Sequence, residues 1–104
     1  HPPMSVKTQT MKRISIVAEA IIAERLIDDI LRLGASGYTQ TAAEGRGSRG
    51  VRASEWEGRN AKIETIVRPD VADKILERIA SHYLKNFAVI AYTNDVEVIL
   101  GDKY

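Results

Sequence analysis

Between residues 44 and 59 the chain reads Glu-Gly-Arg-Gly-Ser-Arg-Gly-Val-Arg-Ala-Ser-Glu-Trp-Glu-Gly-Arg, which holds four of its seven glycines and four arginines. Gly45, Gly47 and Gly50 let a backbone approach a ligand closely and turn its N–H groups toward it. Arg46, Arg49 and Arg52 offer planar forks that match phosphate or carboxylate oxygens bidentately, and Ser48 adds a hydroxyl donor. The chemistry expected here is capture of a phosphate or small anion. No Gly-Lys-Ser/Thr opens a helix, so this is not a Walker P-loop. Trp56 stands among polar residues, between Glu55 and Glu57. It reads as a docking anchor for a protein partner or as a residue left solvated until one arrives.

Something must hold that stretch in place. Lys12–Ala20 is rich in β-branched residues and reads as a strand. In the segment that follows, Ile22, Leu26, Ile30 and Leu33 recur at helical spacing, with Ile27 and Leu31 beside them. Glu24, Arg25, Asp28, Asp29 and Arg32 fall on the opposite face, and Gly34 or Gly37 supplies the stop. Tyr38–Ala43 is a second strand and Ala61–Arg68 a third. A helix follows with Asp70 as N-cap and Ala72, Ile75, Ile79 and Tyr83 as its buried stripe. Phe87–Thr93 is a fourth strand, which Asp95–Gly101 extends or follows as a short fifth. The order βαββαβ predicts a ferredoxin-like α+β fold, with two helices on one face of an antiparallel sheet and the Gly/Arg stretch as a long loop between strands 2 and 3. A hairpin needs two to five loop residues, and longer loops are functional or disordered.

The fourth strand is apolar at both parities: Phe87, Val89 and Ala91 on one side, Ala88, Ile90 and Tyr92 on the other. Val17 adds to the second set. Two helices cover only one face, so the other is expected to meet another copy of the chain. At 104 residues the chain is one domain, with His1–Pro3 read as a cloning remnant and residues 4–104 as the domain. The net charge of +1 argues against a global field for nucleic acid or membranes. The absence of cysteine removes disulfides, thiolate nucleophiles and cysteine metal sites. No apolar run reaches the roughly 20 residues of a membrane span, and a cytoplasmic location is expected.

The run Gly37–Ser54, with Gly37-x-Thr39, Gly45-x-Gly47 and Gly47–Arg52 in order, resembles PII signalling proteins. It is more similar to their inorganic-carbon branch, the cyanobacterial bicarbonate-transport regulators and the carboxysome-associated PII proteins. The resemblance spans Lys12–Leu100. It implies a homotrimer with adenine-nucleotide sites between neighbouring subunits. It also implies a T-loop, about 45–60 here, that orders with nucleotide and regulates a membrane bicarbonate transporter at the inner face of the membrane. Gly37, Thr39, Gly45 and Gly47 would line the cleft, Ser48, Arg49 and Arg52 would meet phosphate, and Val89, Ile90 and Ala91 would form the facing wall. Bicarbonate would use Arg46, Arg49 and Arg52. The basic, glycine-rich segment that wraps a triphosphate in standard members is missing before the last strand, which favours ADP, AMP or cyclic AMP over ATP. No tyrosine lies in Glu44–Arg59 for uridylylation. The chain's end in Gly-Asp-Lys-Tyr, without cysteine, favours the carboxysome-associated group.

The competing readings are a plain adenylate or cyclic-AMP sensor, a slow nucleotide hydrolase, an RNA-binding domain and a metal-tolerance protein. The sequence presents no nucleophile–base pair, no paired carboxylates of split pKa and no metal-ligand cluster, so neither catalysis nor a metal is expected. The first and third strands lack the aromatics that stack RNA bases. His82 reads as a solvated residue or a cation favoured at a helix C-terminus. Glu19 reads as a surface carboxylate, or one that faces the cleft. Tyr38 and Tyr92 read as core or as neighbours of an adenine.

Overall fold

The computed structural model describes residues 6–44 and 59–100. In chain order its elements are β1 (Thr8–Glu19), a 3-10 turn (Ala20–Ile22), α1 (Ala23–Arg32), β2 (Thr39–Ala43), β3 (Asn60–Val67), α2 (Pro69–His82) and β4 (Val89–Ile99). One antiparallel sheet has the order β2-β3-β1-β4. This is the expected βαββαβ fold.

Alternation sorts the strands. Ile14, Ile16 and Ala18 of β1, Ala61, Ile63 and Val67 of β3, and Val89 of β4 point to one face. There they are buried with Ile22, Leu26, Ile27 and Ile30 and with Val71, Ala72, Ile75, Ile79 and Tyr83. The second helix therefore buries the stripe its spacing predicts. Removing one such isoleucine side chain would cost about 2–5 kcal/mol.

The end of α1 follows from Gly34, whose φ is +127°. The Gly34 N–H donates to the Leu31 carbonyl at 3.2 Å and the Ala35 N–H to the Ile30 carbonyl at 2.9 Å. This Schellman pair closes the helix and turns the chain toward β2.

Four expectations need correction. The strands β1 and β4 are longer than the apolar pattern suggests, because Thr8–Met11 pair with Val96–Ile99 beyond the helix-covered core. The residues from Asp95 onward thus extend the fourth strand and do not make a fifth. The N-cap of α2 is Arg68, with extended backbone, and Pro69 takes the first helical position. The Asp70 carboxylate instead pairs with the Arg68 guanidinium, at 3.2 Å from both Nε and Nη2. Asp29, placed by periodicity on the polar face of α1, is only 7% exposed. Tyr38 and Tyr92 are not core residues, at 46% and 47% exposed.

Candidate functional site

Thr39 opens β2, and its register partner on β3 is Glu64. Glu64 faces Ser15 of β1, which in turn faces Tyr92 of β4. These four residues make a row across the face of the sheet that neither described helix covers. A second row holds Thr41, Lys62, Val17 and Ile90. The rows combine hydroxyls, a carboxylate and an ammonium with apolar groups at the β4 end.

The centre of the first row is an organised polar cluster. Ser15 is 1% exposed although it lies on the uncovered face, and its hydroxyl donates to Glu64 Oε2 at 3.3 Å. The Lys62 ammonium lies 3.6 Å from the same oxygen. On the opposite face of β3 the Thr65 hydroxyl donates to the Gly37 carbonyl at 2.6 Å, which fixes the approach to β2. Nothing lies within 4 Å of the place a Gly37 side chain would occupy. Gly37 therefore leaves open space at the backbone two residues before Thr39.

The expected site residues fall into three groups. Gly37 and Thr39 lie together at the β2 edge. Val89, Ile90 and Ala91 lie on β4, the other edge of the sheet. Three strand spacings, roughly 14 Å, separate the two groups. Val89 is 1% exposed, so its side chain belongs to the core, while Ile90 is exposed on the open face. The expectations at Gly45, Arg46, Gly47, Ser48, Arg49, Arg52 and Trp56 lie outside the described residues.

Sequence reasoning does not single out Ser15, Lys62 and Glu64. Polar residues that alternate along a strand read as a solvated face, and only the cross-strand register brings them together. The expectation for Glu19 fails in the same way. It is 2% exposed, and its Oε2 accepts the Ala88 N–H at 2.6 Å, so it is neither a surface nor a cleft carboxylate.

A second cleft, of about 340 Å³, opens where β3 passes into α2. Met11, Leu33, Ile66 and Val71 give it apolar walls, with Ser36, Arg68 and Lys74 as its polar groups. It lies on the approach to Gly37.

His82 is held at both ring nitrogens. Nε2 lies 3.0 Å from Arg78 Nη1, which can only donate, so Nε2 accepts. The Ser81 hydroxyl donates to the Glu77 carbonyl at 2.9 Å, so Nδ1–H, 2.9 Å away, donates to the Ser81 oxygen.

Asp29, Arg78 and Tyr83 form a second charged cluster, between the two helices. Arg78 Nε donates to Asp29 Oδ2 at 3.1 Å. Burial would raise the Asp29 carboxyl, but the hydrogen bonds from Tyr83 and Arg78 and the charges of Arg78 and Arg32 outweigh it and hold it below its ordinary value. Burial, together with the bond to Asp29, pushes the Tyr83 hydroxyl up to about 12. The Arg25 guanidinium lies 5.8 Å from the centre of the Tyr83 ring and 5.6 Å from that of Phe87. Every group in this cluster is satisfied from within the chain, so it reads as structural. Among the described residues no group of acidic, histidine or cysteine side chains could hold a metal, and no helix is long and apolar enough to cross a membrane.

Residues 11–103 match the family described as Nitrogen regulatory protein P-II. A Thermus thermophilus structure assigned as a PII-like signaling protein is 47% identical, with a TM-score of 0.79 over 94% of this chain and 98% of that one. The CPII protein from Thiomonas intermedia, bound to ADP, AMP and bicarbonate, is 22% identical with a TM-score of 0.75 over 88% and 96% of the two chains. The same protein bound to ADP, AMP and acetate gives 22% and 0.78 over 88% and 91%.

Proposed function

Because the chain belongs to the nitrogen regulatory protein P-II family, we propose that it is a signal-transduction protein that binds ADP or AMP, with bicarbonate as co-ligand, in clefts between the subunits of a homotrimer. In this reading it regulates inorganic-carbon uptake or a carboxysome system through a membrane bicarbonate transporter.

One observation carries the proposal. Gly37 and Thr39 lie at one edge of the sheet and Ile90 at the other. A single chain cannot bring them to one ligand. If both line a site, the β4 wall must come from a second copy. The uncovered face supports this, since Ile66, Ile90 and Tyr92 are exposed there and Val17 is only half-buried. Covering about 300 Å² of such surface would contribute on the order of 7 kcal/mol at 25 cal/mol per Å².

The residue chemistry suits a nucleotide. The hydroxyls of Thr39 and Thr41 and the carboxylate of Glu64 can bond a ribose or base, and the exposed ring of Tyr92 can stack. Arg49, Arg52 and Ser48 are proposed to meet the phosphates, and Arg46, Arg49 and Arg52 bicarbonate. Trp56 is proposed as the partner-docking anchor. Nucleotide-dependent ordering of the loop is proposed to let a modest change in nucleotide supply shift its population.

Calorimetric titration with AMP, ADP, ATP and cyclic AMP, each with and without bicarbonate, tests this. ADP or AMP binding that tightens with bicarbonate is expected, along with weakened ADP binding by Arg49→Ala and Arg52→Ala in an intact oligomer. Binding indifferent to bicarbonate would leave a plain adenylate sensor. No nucleotide binding would overturn the reading.

A further inference from the structure

Thr65 is the one polar side chain in the core-facing row of β3. The others in that row, Ala61, Ile63 and Val67, are apolar and buried, and Thr65 itself is 3% exposed. A buried hydroxyl costs stability unless it is hydrogen-bonded, and a valine of the same shape would need no partner. The Thr65 hydroxyl donates to the Gly37 carbonyl at 2.6 Å, across 28 residues of chain. Gly37 is exposed, so water could serve that carbonyl equally well. The core therefore gains little from the hydroxyl. What it fixes is the direction of one peptide unit.

That direction has a consequence on the other side of the unit. No peptide bond among the described residues is cis. In a trans unit the C=O and the N–H point in opposite directions. With the Gly37 carbonyl turned onto Thr65, the N–H of the same unit, which belongs to Tyr38, is turned away from β3. The segment is entering β2, the edge strand of the sheet, whose ladder with β3 begins one residue later at Thr39. Among the described residues the Tyr38 N–H makes no hydrogen bond. Gly37 has no side chain to screen it, and nothing lies within 4 Å of where one would begin. The result is an aimed, unscreened donor next to Thr39.

We infer that Thr65 is a positioning residue for the ligand cleft, which aims the Tyr38 N–H at an acceptor atom of the bound nucleotide, a ring nitrogen or a sugar oxygen. Thr65 acts from the helix-covered face of the sheet and does not itself touch the ligand. The role in binding rests on the nucleotide reading above. The hold of Thr65 on the Gly37 peptide does not.

Three measurements on the full chain separate these, each comparing wild type with Thr65→Val, which keeps the shape and removes the hydroxyl, and Thr65→Ser, which keeps the hydroxyl. Without ligand, the NMR resonance of the Gly37 carbonyl carbon should move upfield in Thr65→Val and stay near its wild-type position in Thr65→Ser. With saturating ADP, the Tyr38 amide should become about tenfold or more protected from exchange in wild type and Thr65→Ser, and gain no protection in Thr65→Val. The ADP dissociation constant should rise about fivefold in Thr65→Val, the loss of one hydrogen bond, and return in Thr65→Ser. The thermal midpoint of Thr65→Val should stay near that of wild type. A merely structural role would lower that midpoint and leave Tyr38 protected by ADP. An unmoved Gly37 carbonyl in Thr65→Val would overturn the hold. A wild type that binds ADP while Tyr38 exchanges freely, or a Thr65→Val variant that binds ADP as wild type does, would overturn the role in binding. A wild type that binds no ADP would overturn both the nucleotide reading and that role, and the carbonyl resonance would decide the hold alone.

Discussion

The Tyr83 hydroxyl donates to Asp29 Oδ2 at 2.6 Å and so ties the residue that ends α2 to the middle of α1. The same oxygen receives Arg78, which makes Asp29 a point where the two helices are fastened together. Tyr83→Phe removes one charge-assisted bond and should cost about 1.5–3 kcal/mol in denaturant unfolding. Asp29→Leu should cost more, since Tyr83 and Arg78 would both lose their acceptor.

The same pair shapes the pH dependence. Asp29 has a lowered carboxyl in the folded state, so its contribution is present above the ordinary carboxylate range and lost as pH falls through the folded value. Tyr83 titrates near 12 when folded, against an ordinary 10.0. Its contribution is complete below pH 10 and is lost between there and 12. Wild-type stability should therefore decline at both extremes, and Tyr83→Phe should flatten the alkaline decline. Unfolding midpoints across pH would show this.

Gly34 and Gly37 should respond in opposite ways to alanine. At Gly34 the positive φ is unfavourable for any side chain, and a Cβ would sit 3.2 Å from Val71 Cγ2. Gly34→Ala should destabilise the fold by roughly 1–2 kcal/mol. At Gly37 a Cβ meets open space, so Gly37→Ala should leave stability within about 0.5 kcal/mol. If the space receives nucleotide, ADP affinity should fall. Thermal unfolding and calorimetry together distinguish the two.

Glu97 lies on the ribbon where β1 and β4 run beyond the core. The hydroxyls of Thr10 and Thr8 donate to its two oxygens at 2.7 and 2.8 Å and lower its pKa. Thr10→Val should raise the Glu97 titration toward the ordinary glutamate value, and Thr8→Val should do so less. Side-chain carboxyl shifts followed by NMR would detect both.

The uncovered face provides a test of assembly. Ile90→Glu places a charge where a second copy is proposed to pack. The variant should lose the oligomer while its far-UV circular dichroism stays native. Light scattering would report the mass, and an unchanged oligomer would show that this face is not the contact.

Periodicity alone reveals both helices and the described strands, though not the 3-10 turn Ala20–Ile22, because the helices and central strands are strongly patterned. It fails where a partner in space decides the outcome. Asp29 follows the polar spacing of α1, and nothing local announces that Arg78 and Tyr83 reach it from α2. The polar residues before Lys12 carry no strand pattern, yet Thr8–Met11 pair because β4 lies alongside. Gly37 and Thr39 are proposed from a motif, whereas Ser15, Lys62 and Glu64 join the candidate site only through strand register. Glu19 reads as a surface or cleft acid because the Ala88 N–H that its carboxylate meets lies 69 residues away in the chain.

The order of the sheet also bears on how the chain is made. β1 is an interior strand, and one of its two neighbours is the last of the four strands, with Thr8 facing Ile99. A chain leaving the ribosome can assemble β2, β3 and β1 with both helices, but β1 then has an open edge beside Ile14 and Ile16. Closing that edge must wait for β4, and so distant a pairing slows folding. Until β4 emerges, the nascent chain presents an apolar strand edge able to pair with another chain. The step that completes the sheet thus follows every other described element in synthesis, and it also supplies the Ile90 and Tyr92 surface proposed to meet a second copy.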